Sequence, residues 1–511
     1  MADHLTSDVE KPGFAPGKGT HQYDENIEEL VQTEVEVIEL SEEEKSKVLR
    51  KIDWILVPQL TILYLLAFLD RSNIGNAKIA GMTEDLNLVG LDYNVALSIF
   101  FVSYSFFEIP SNIVLKIIRP NIWISLIMVV WGVIMTLMGI VQSYSGLLAA
   151  RFFLGVAEAG LFPGATYLLT LWYRRYEVQK RMAWFYVGAS LSGAFSGLLA
   201  YAIQKMDGIA GLGGWRWYGI FILEGILSAV VGFCIVFTLP NSPWTAKFLT
   251  KEQAQFVVSR LQVETGSGAG RVTNDDKIRL HHVIKALKEW KIWMGVICWW
   301  GNAITVYGFT YTVPTVITQL GYSNANAQLM TIPIYVAAMV ATIVLAYISD
   351  RYQQRAWVIA GGFGFGSLGF LALLVVPHPR LPGLTYGMLF PAAMGIYAPL
   401  MPLLSWFANN LAPSSKRAVG MALLICFGNL GGGLVGSNIF LDRLKPHYYV
   451  GYGVCFAIML AASATAIFLR TVYARINHKR DQLTEAEIRA LYTEGELLDM
   501  GDKSPFFRYA L

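Results

Sequence analysis

The chain has 511 residues, of which 54% are hydrophobic and 15% charged, with a mean hydropathy of +0.45. A soluble domain carries about 25% charged residues, so a soluble globular protein is excluded and a polytopic membrane protein is indicated. The net charge of +3 is too small to argue for nucleic acid or any other strongly charged partner.

Residues 1–44 read as a cytosolic, disordered tail: they are acid-rich, have no sustained periodicity, and lack the apolar core of a cleavable signal peptide. Ser41-Glu42-Glu43-Glu44 is a capping-box pattern that opens a helix leading into the first apolar run. Twelve such runs follow, at 54–76, 93–115, 121–142, 146–171, 182–204, 217–239, 292–317, 327–348, 356–376, 384–406, 416–438 and 449–470. They predict an all-α polytopic membrane protein of twelve transmembrane helices in two six-helix halves, residues 45–240 and 291–471. Between them lies a cytosolic linker, 241–290, and after them a cytosolic tail, 472–511. The linker carries a capped helix from Thr250, a Gly-rich break at Gly266–Gly270 and a basic helix at 275–290. Adjacent side chains on a helix point in different directions, so His281-His282 on that basic helix reads as solvated surface, and no metal site is expected. Thr484-Glu-Ala-Glu487 caps a further short helix in the tail.

Basic residues fix the orientation. Lys45, Lys47, Arg50 and Lys51 precede the first span, and Arg174, Arg175, Lys180 and Arg181 follow the fourth. Arg351, Arg355, Lys416 and Arg417 fill the later loops on that side, and Arg470, Arg475, Lys479 and Arg480 follow the last span. The opposite loops hold fewer, so both termini are expected in the cytosol. Cys234, Cys298, Cys426 and Cys455 all lie in apolar runs and read as packing residues.

The informative residues are the charges inside spans. From Trp54 to Leu69 a helix rises about 24 Å, short of a hydrocarbon core of roughly 30 Å, so Asp70 and Arg71 fall within the bilayer. Charges there are costly and mark functional sites by default. Span four adds Arg151 and Glu158, seven residues apart and therefore on one helix face. Guanidinium groups stay charged and grip a carboxylate bidentately, making Arg71 and Arg151 candidates for binding a substrate anion. Asp70 and Glu158, buried beside them, are candidates for exchanging a proton. The plainer alternative is that the four only pair and hold helices one and four together. Glu108 and Glu224 are further acids inside spans; Glu108 suits a cytosolic gate and Glu224 a pairing with Arg216 in the Trp215-Arg216-Trp217 cluster, the alternative for both being that they only pair helices. The second half offers neutral polar groups instead: Asn302, Thr305, Tyr307, Thr310 and Tyr311, then Tyr335, Tyr397 and Asn429. Of these, Asn302, Tyr307, Tyr397 and Asn429 are candidates for the non-ionic part of a substrate.

Ala346-Tyr-Ile-Ser-Asp350-Arg351 with Arg355 resembles the cytoplasmic gate motif of the major facilitator superfamily, which gives Asp350 and Arg351 the role of a cytosolic gate. The equivalent first-half loop departs from the motif, with Asn112 and Lys116 at the positions of the usual Gly and Asp. That departure, together with LDRSNIGNAKIAGM (69–82), EIPSN (108–112), RFFLGVAEAGLFPG (151–164) and GYSNANAQLMTIP (321–333), resembles the fungal anion:cation symporter family. Allantoate, nicotinate and pantothenate permeases belong to that branch. The resemblance implies that Arg71 and Arg151 bind a substrate carboxylate and that Asp70 and Glu158 carry the proton. Some relatives have another arginine in helix seven; its absence here argues against a dianionic substrate. Span five, GASLSGAFSGLLA, lacks the proline of the drug-exporter motif, which argues against efflux. The expectation is therefore a plasma-membrane proton symporter taking up a small organic anion, nicotinate-like or another vitamin or nitrogen-source carboxylate. An exporter of an acidic metabolite and a non-transporting nutrient sensor are the alternatives. The expected partners are that anion, protons and the lipid bilayer; no cofactor, nucleic acid or enzymatic nucleophile–base set is expected.

Overall fold

A computed structural model describes residues 41–204, 221–266 and 287–511, apart from positions 378–379, 413, 442–443, 494–495 and 498–499. The expectations for residues 1–40, for Trp215-Arg216-Trp217, for most of the Gly266–Gly270 break and for His281-His282 with most of its basic helix lie outside the described residues. Among the described residues there is no strand. The first half contains α1 Glu42–Ala77, α2 Asp92–Ile117, α3 Pro120–Met138, α4 Tyr144–Glu158, α5 Leu161–Thr170, α6 Arg175–Gln204 and α7 Ile222–Thr238. Helix α8, Lys251–Gly266, lies in the linker. The second half contains α9 Trp290–Gln319, α10 Asn324–Tyr352, α11 Arg355–Val375, α12 Pro382–Tyr397, α13 Leu400–Asn409, α14 Ser414–Gly436 and α15 Tyr449–Asp481, and α16 Glu485–Leu491 follows.

Each of the twelve expected spans is helical. Ten stretches are long and apolar enough to cross a membrane by length and composition. The sixth span, α7, is a shorter apolar helix of 17 residues, and the seventh, α9, is a 30-residue helix whose apolar character is diluted by Asn302, Thr305, Tyr307 and Tyr311. Local chemistry sets the ends. Ser41 and Glu44 form the expected capping box, and α1 runs without interruption from that cap to Ala77. Spans four and ten are each broken in two, which the hydropathy pattern does not reveal. Pro163 has no N–H to give Ala159 O, and Pro402 none for Ala398 O, so the chain yields between α4 and α5 and between α12 and α13.

The packing repeats between the halves. Within the first, α1 lies on α6, α3 on α7 and α2 on α4; within the second, α9 lies on α14, α11 on α15 and α10 on α12. The halves meet through α6 against α10 and α2 against α14. Small residues allow the closest crossings: a Cβ on Gly132 would stand 2.5 Å from Ala229 N, and one on Gly225 2.5 Å from Thr136 N, so α3 and α7 touch backbone to backbone. Large apolar side chains left exposed on α2, α3 and α7, such as Ile113, Val130, Val133, Phe233 and Phe237, suit a lipid surround.

Contacts between the halves gather at the end away from residues 41 and 511. There Asn94 Nδ2 donates to Ser437 O at 2.7 Å, Asn438 Nδ2 to Ser98 Oγ at 2.9 Å, and Gly197 packs on Gln328 and Thr331. At the other end the last residues fold back onto the second half. Asp502 is fully buried between Lys291 Nζ at 2.8 Å and Lys416 Nζ at 2.7 Å, and Lys416 also meets Glu289 at 2.6 Å. Tyr509 stacks on Tyr473, and Ala510 O accepts from Trp406 Nε1 and Asn410 Nδ2. The expected cap, Thr484 with Glu487, opens α16, but the docking of the tail has no counterpart in the sequence reading.

Candidate substrate site

A small cavity of about 30 Å³ sits between the halves. Helix α1 contributes Tyr64, Phe68 and Arg71, α2 Tyr104, α5 Phe162 and α6 Tyr186; from the second half come Trp299, Asn302 and Tyr307 on α9, Leu400 on α13 and Asn429 on α14. The cavity therefore touches both broken spans. Interrupted helices at corresponding places in two repeats are where transporter sites are built.

Arg71 is the charge in its wall. Its Nε donates to Glu158 Oε1 at 2.6 Å and its Nη1 to Tyr307 Oη at 3.2 Å, so the group bridges α1, α4 and the second half. Its guanidinium lies over the rings of Tyr104, Phe68 and Phe100, 4.9, 5.1 and 5.5 Å from their centroids. Aromatic faces offset part of what desolvating the cation costs while leaving its remaining N–H groups for an anion. Glu158 is 1% exposed and ends α4, placed there by the Pro163 break.

The other expected residues are arranged around this pair. Arg151 is 1% exposed and does not line the cavity; its guanidinium lies 5.9 Å from the Phe100 centroid, and its Nε and Nη2 have no hydrogen-bond partner. Asp70 also lies behind the wall, where its Oδ2 accepts from Trp131 Nε1 at 2.6 Å and Ser228 Oγ at 3.1 Å. Of the four charges, Arg71 lines the cavity, and Glu158, Arg151 and Asp70 are packed behind it. Asn302 Nδ2 donates to Ile396 O at 2.7 Å beside the α12–α13 break, and Asn429 Oδ1 accepts from Trp299 Nε1 at 3.3 Å. Tyr397 is buried outside the lining, its hydroxyl 3.2 Å from Thr310 Oγ1. Asp350 and Arg351 are exposed at the end of α10, where Arg351 Nη1 donates to Tyr347 Oη at 3.2 Å. Glu108 is buried with Oε2 unpartnered, and Glu224 accepts from Asn73 Nδ2.

Sequence reasoning passed over the aromatic part of the wall, Tyr64, Phe68, Tyr104, Phe162, Tyr186 and Trp299, because aromatic residues at helical spacing read as packing. It also passed over Trp131. An indole N–H in the middle of an apolar span needs an acceptor, and that requirement was the available signal.

The family model described as the Major Facilitator Superfamily matches residues 60–436. The chain is 38% identical over 476 residues to the MFS-type transporter cnsO of Penicillium expansum, covering 91% of each protein. It is 31% identical over 471 residues to the High-affinity nicotinic acid transporter of Saccharomyces cerevisiae, covering 91% of this chain and 85% of that one. Among solved structures, a bacterial homolog to the human lysosomal transporter Spinster, in an inward-facing and unoccupied conformation, matches with a TM-score of 0.58 at 17% identity, over 82% of this chain and 95% of that chain.

Proposed function

The chain belongs to the Major Facilitator Superfamily and is a multi-pass membrane transporter, and from that premise we propose that it takes up a small organic monoanion together with protons. The observation that carries this reading is the buried Arg71–Glu158 pair at the wall of an otherwise neutral, aromatic cavity. A substrate carboxylate competes with Glu158 for the guanidinium. As it takes Arg71, Glu158 loses its counter-charge and accepts a proton, so anion and proton are carried together. Release reverses the exchange: the anion leaves, Glu158 gives up the proton and the ion pair reforms. One arginine in the wall suits one carboxylate. Tyr64, Tyr104, Tyr186 and Trp299 offer faces for a planar ring, and Asn302 and Asn429 offer neutral hydrogen-bonding groups for its heteroatoms. A nicotinate-like carboxylate meets these demands, and a relative at 31% identity bears the name of a nicotinic acid transporter.

In this reading the protein sits in the plasma membrane with both termini cytosolic, an orientation that the basic loops support. Asp350 and Arg351 then belong to a gate on the cytosolic side, and the contacts between Asn94 and Ser437 close the outer side. Arg151 and Asp70 support the site from behind, and Tyr397 backs the wall. The test is uptake of labelled nicotinate and a panel of other monocarboxylates in cells expressing the protein, with and without an uncoupler. Accumulation that collapses with the proton gradient is expected. Uptake indifferent to the gradient, or no uptake of any carboxylate, contradicts the proposal.

A further inference from the structure

Glu224 on α7 is 3% exposed and Asp70 on α1 is 1% exposed, and two hydrogen bonds bring them side by side: Ser228, one turn from Glu224, donates to Asp70, and Asn73, one turn from Asp70, donates to Glu224. Among the described residues, three donors serve the outer oxygens. Trp131 Nε1 and Ser228 Oγ both donate to Asp70 Oδ2, and Asn73 Nδ2 donates to Glu224 Oε2. Among the described residues, Asp70 Oδ1 and Glu224 Oε1 have no hydrogen-bond partner. Two unpartnered carboxylate oxygens in a dry interior are costly, and two adjacent buried carboxylates cannot both ionise without strong repulsion. A single proton between the groups answers both problems at once. The surroundings are built to hold the pair. The glycine crossing of α3 and α7 brings Trp131 and Glu224 to the same depth on α1, and Ser228 sits one turn along from Glu224.

We infer that Asp70 and Glu224 share one proton and form a carboxyl pair that stores it during transport, which makes Glu224 part of the proton path. This rests on the proton-coupled reading above. In the stored state the pair holds one proton and one negative charge. Transfer of that proton to water or to Glu158 leaves two carboxylates, and the nearby cation is Arg151, close enough to interact electrostatically with both Asp70 and Glu158. The other charged groups facing the pair are Glu158 on α4 and Arg71 on α1, already bonded to each other. Helix α3 offers Trp131 and α6 offers Ser196, bonded to Asn73 and Asn76, and neither is titratable in this range. The proton thus moves between carboxyl oxygens, and no other bond is made or broken.

The test uses the purified full-length protein in lipid nanodiscs and needs no substrate. Infrared spectra recorded across pH report the carbonyl stretch of any protonated carboxyl, identified by its shift in heavy water. The wild type is expected to show such a band. Asp70→Asn and Glu224→Gln should each remove the same component of the carboxyl absorption, leaving any contribution of buried Glu108 in place, and the double variant should match either single one, since the proton belongs to the pair. Glu224→Asp should keep the band with a displaced midpoint, which separates loss of the pair from misfolding. A carboxyl absorption that Glu224→Gln leaves unchanged, or components lost independently in the two single variants, overturns the inference. In proteoliposomes with nicotinate as the probe, Glu224→Gln should reduce gradient-driven accumulation to the level seen with an uncoupler. Accumulation equal to wild type overturns the transport role. Wild-type uptake indifferent to the gradient instead overturns the proton-coupled reading, and it is told apart because the infrared band is measured without transport.

Discussion

In the proposed mechanism, Arg71 acts through geometry that a lysine cannot copy. Its Nε is committed to Glu158 and its Nη1 to Tyr307, so the fork is already oriented when an anion arrives. Removing one partner of a buried charge pair costs about 2–5 kcal/mol, and even the lower bound is about a 30-fold loss of affinity. Arg71→Ala should therefore raise the half-saturating substrate concentration by at least that factor, measured by initial-rate uptake. Glu158→Gln makes a different point. The amide oxygen can still accept from Arg71 Nε but cannot take up a proton, so exchange of internal for external substrate should continue while gradient-driven accumulation is lost. Loss of both together would assign Glu158 to structure alone. At this scale the sequence was informative about charge and little else. Asp70, Arg71, Arg151 and Glu158 stand out because ionisable residues are expensive in an apolar span. Which of them reaches the cavity depends on the side-chain packing around Phe100, and no spacing rule encodes that.

The broken spans show what an element adds. Pro163 interrupts span four immediately after Glu158, and Pro399 and Pro402 interrupt span ten at the cavity residue Leu400. A proline inside a helix costs about 3 kcal/mol, so Pro163→Ala should leave the purified protein as stable as wild type or more so in a thermal melt, while displacing Glu158 and reducing transport. Full activity in a stabilised variant would show that the break has no role. The crossing of α3 and α7 is the opposite case. Gly225→Val forces a side chain into the backbone of α3, and overpacking of this kind costs about 1–3 kcal/mol and sometimes more. A lower melting temperature is expected, with transport impaired because Trp131 and Glu224 are carried by these helices. The twelve spans were legible because a bilayer demands long apolar runs, and hydropathy reports length directly. The breaks were not, because hydropathy averages over the prolines that cause them. The seventh span was legible as a helix although its own polar residues dilute its hydropathy, and those residues include cavity-lining Asn302 and Tyr307.

For the whole molecule, the halves repeat each other's packing and touch at the end away from the termini, as alternating access about a central site requires. The docked C-terminus ties the starts of α9, α11 and α14 to the end of α15. Burial alone would push the Asp502 carboxyl up, but Lys291 and Lys416 beside it hold it below the usual carboxylate value. A group depressed in the folded state contributes stability that is fully present above its unfolded value of about 3.9 and is lost as pH falls through the lower folded value. Hydrogen exchange at residues 501–511 should therefore stay slow through mildly acid pH and quicken only in strong acid, whereas Asp502→Asn should quicken it at neutral pH. The fold-back was not legible because its ion pairs join residues far apart in the chain, Lys291 and Lys416 lying 211 and 86 positions from Asp502. The central claim is that anion and proton share the Arg71–Glu158 pair, and substrate-driven proton flux tests it most directly. Proteoliposomes loaded with a pH-sensitive dye are given nicotinate and a series of other monocarboxylates without an imposed gradient. At least one should drive protons inward with the wild type and none with Arg71→Ala; substrate entry without proton movement, or proton movement that survives Arg71→Ala, would contradict the account.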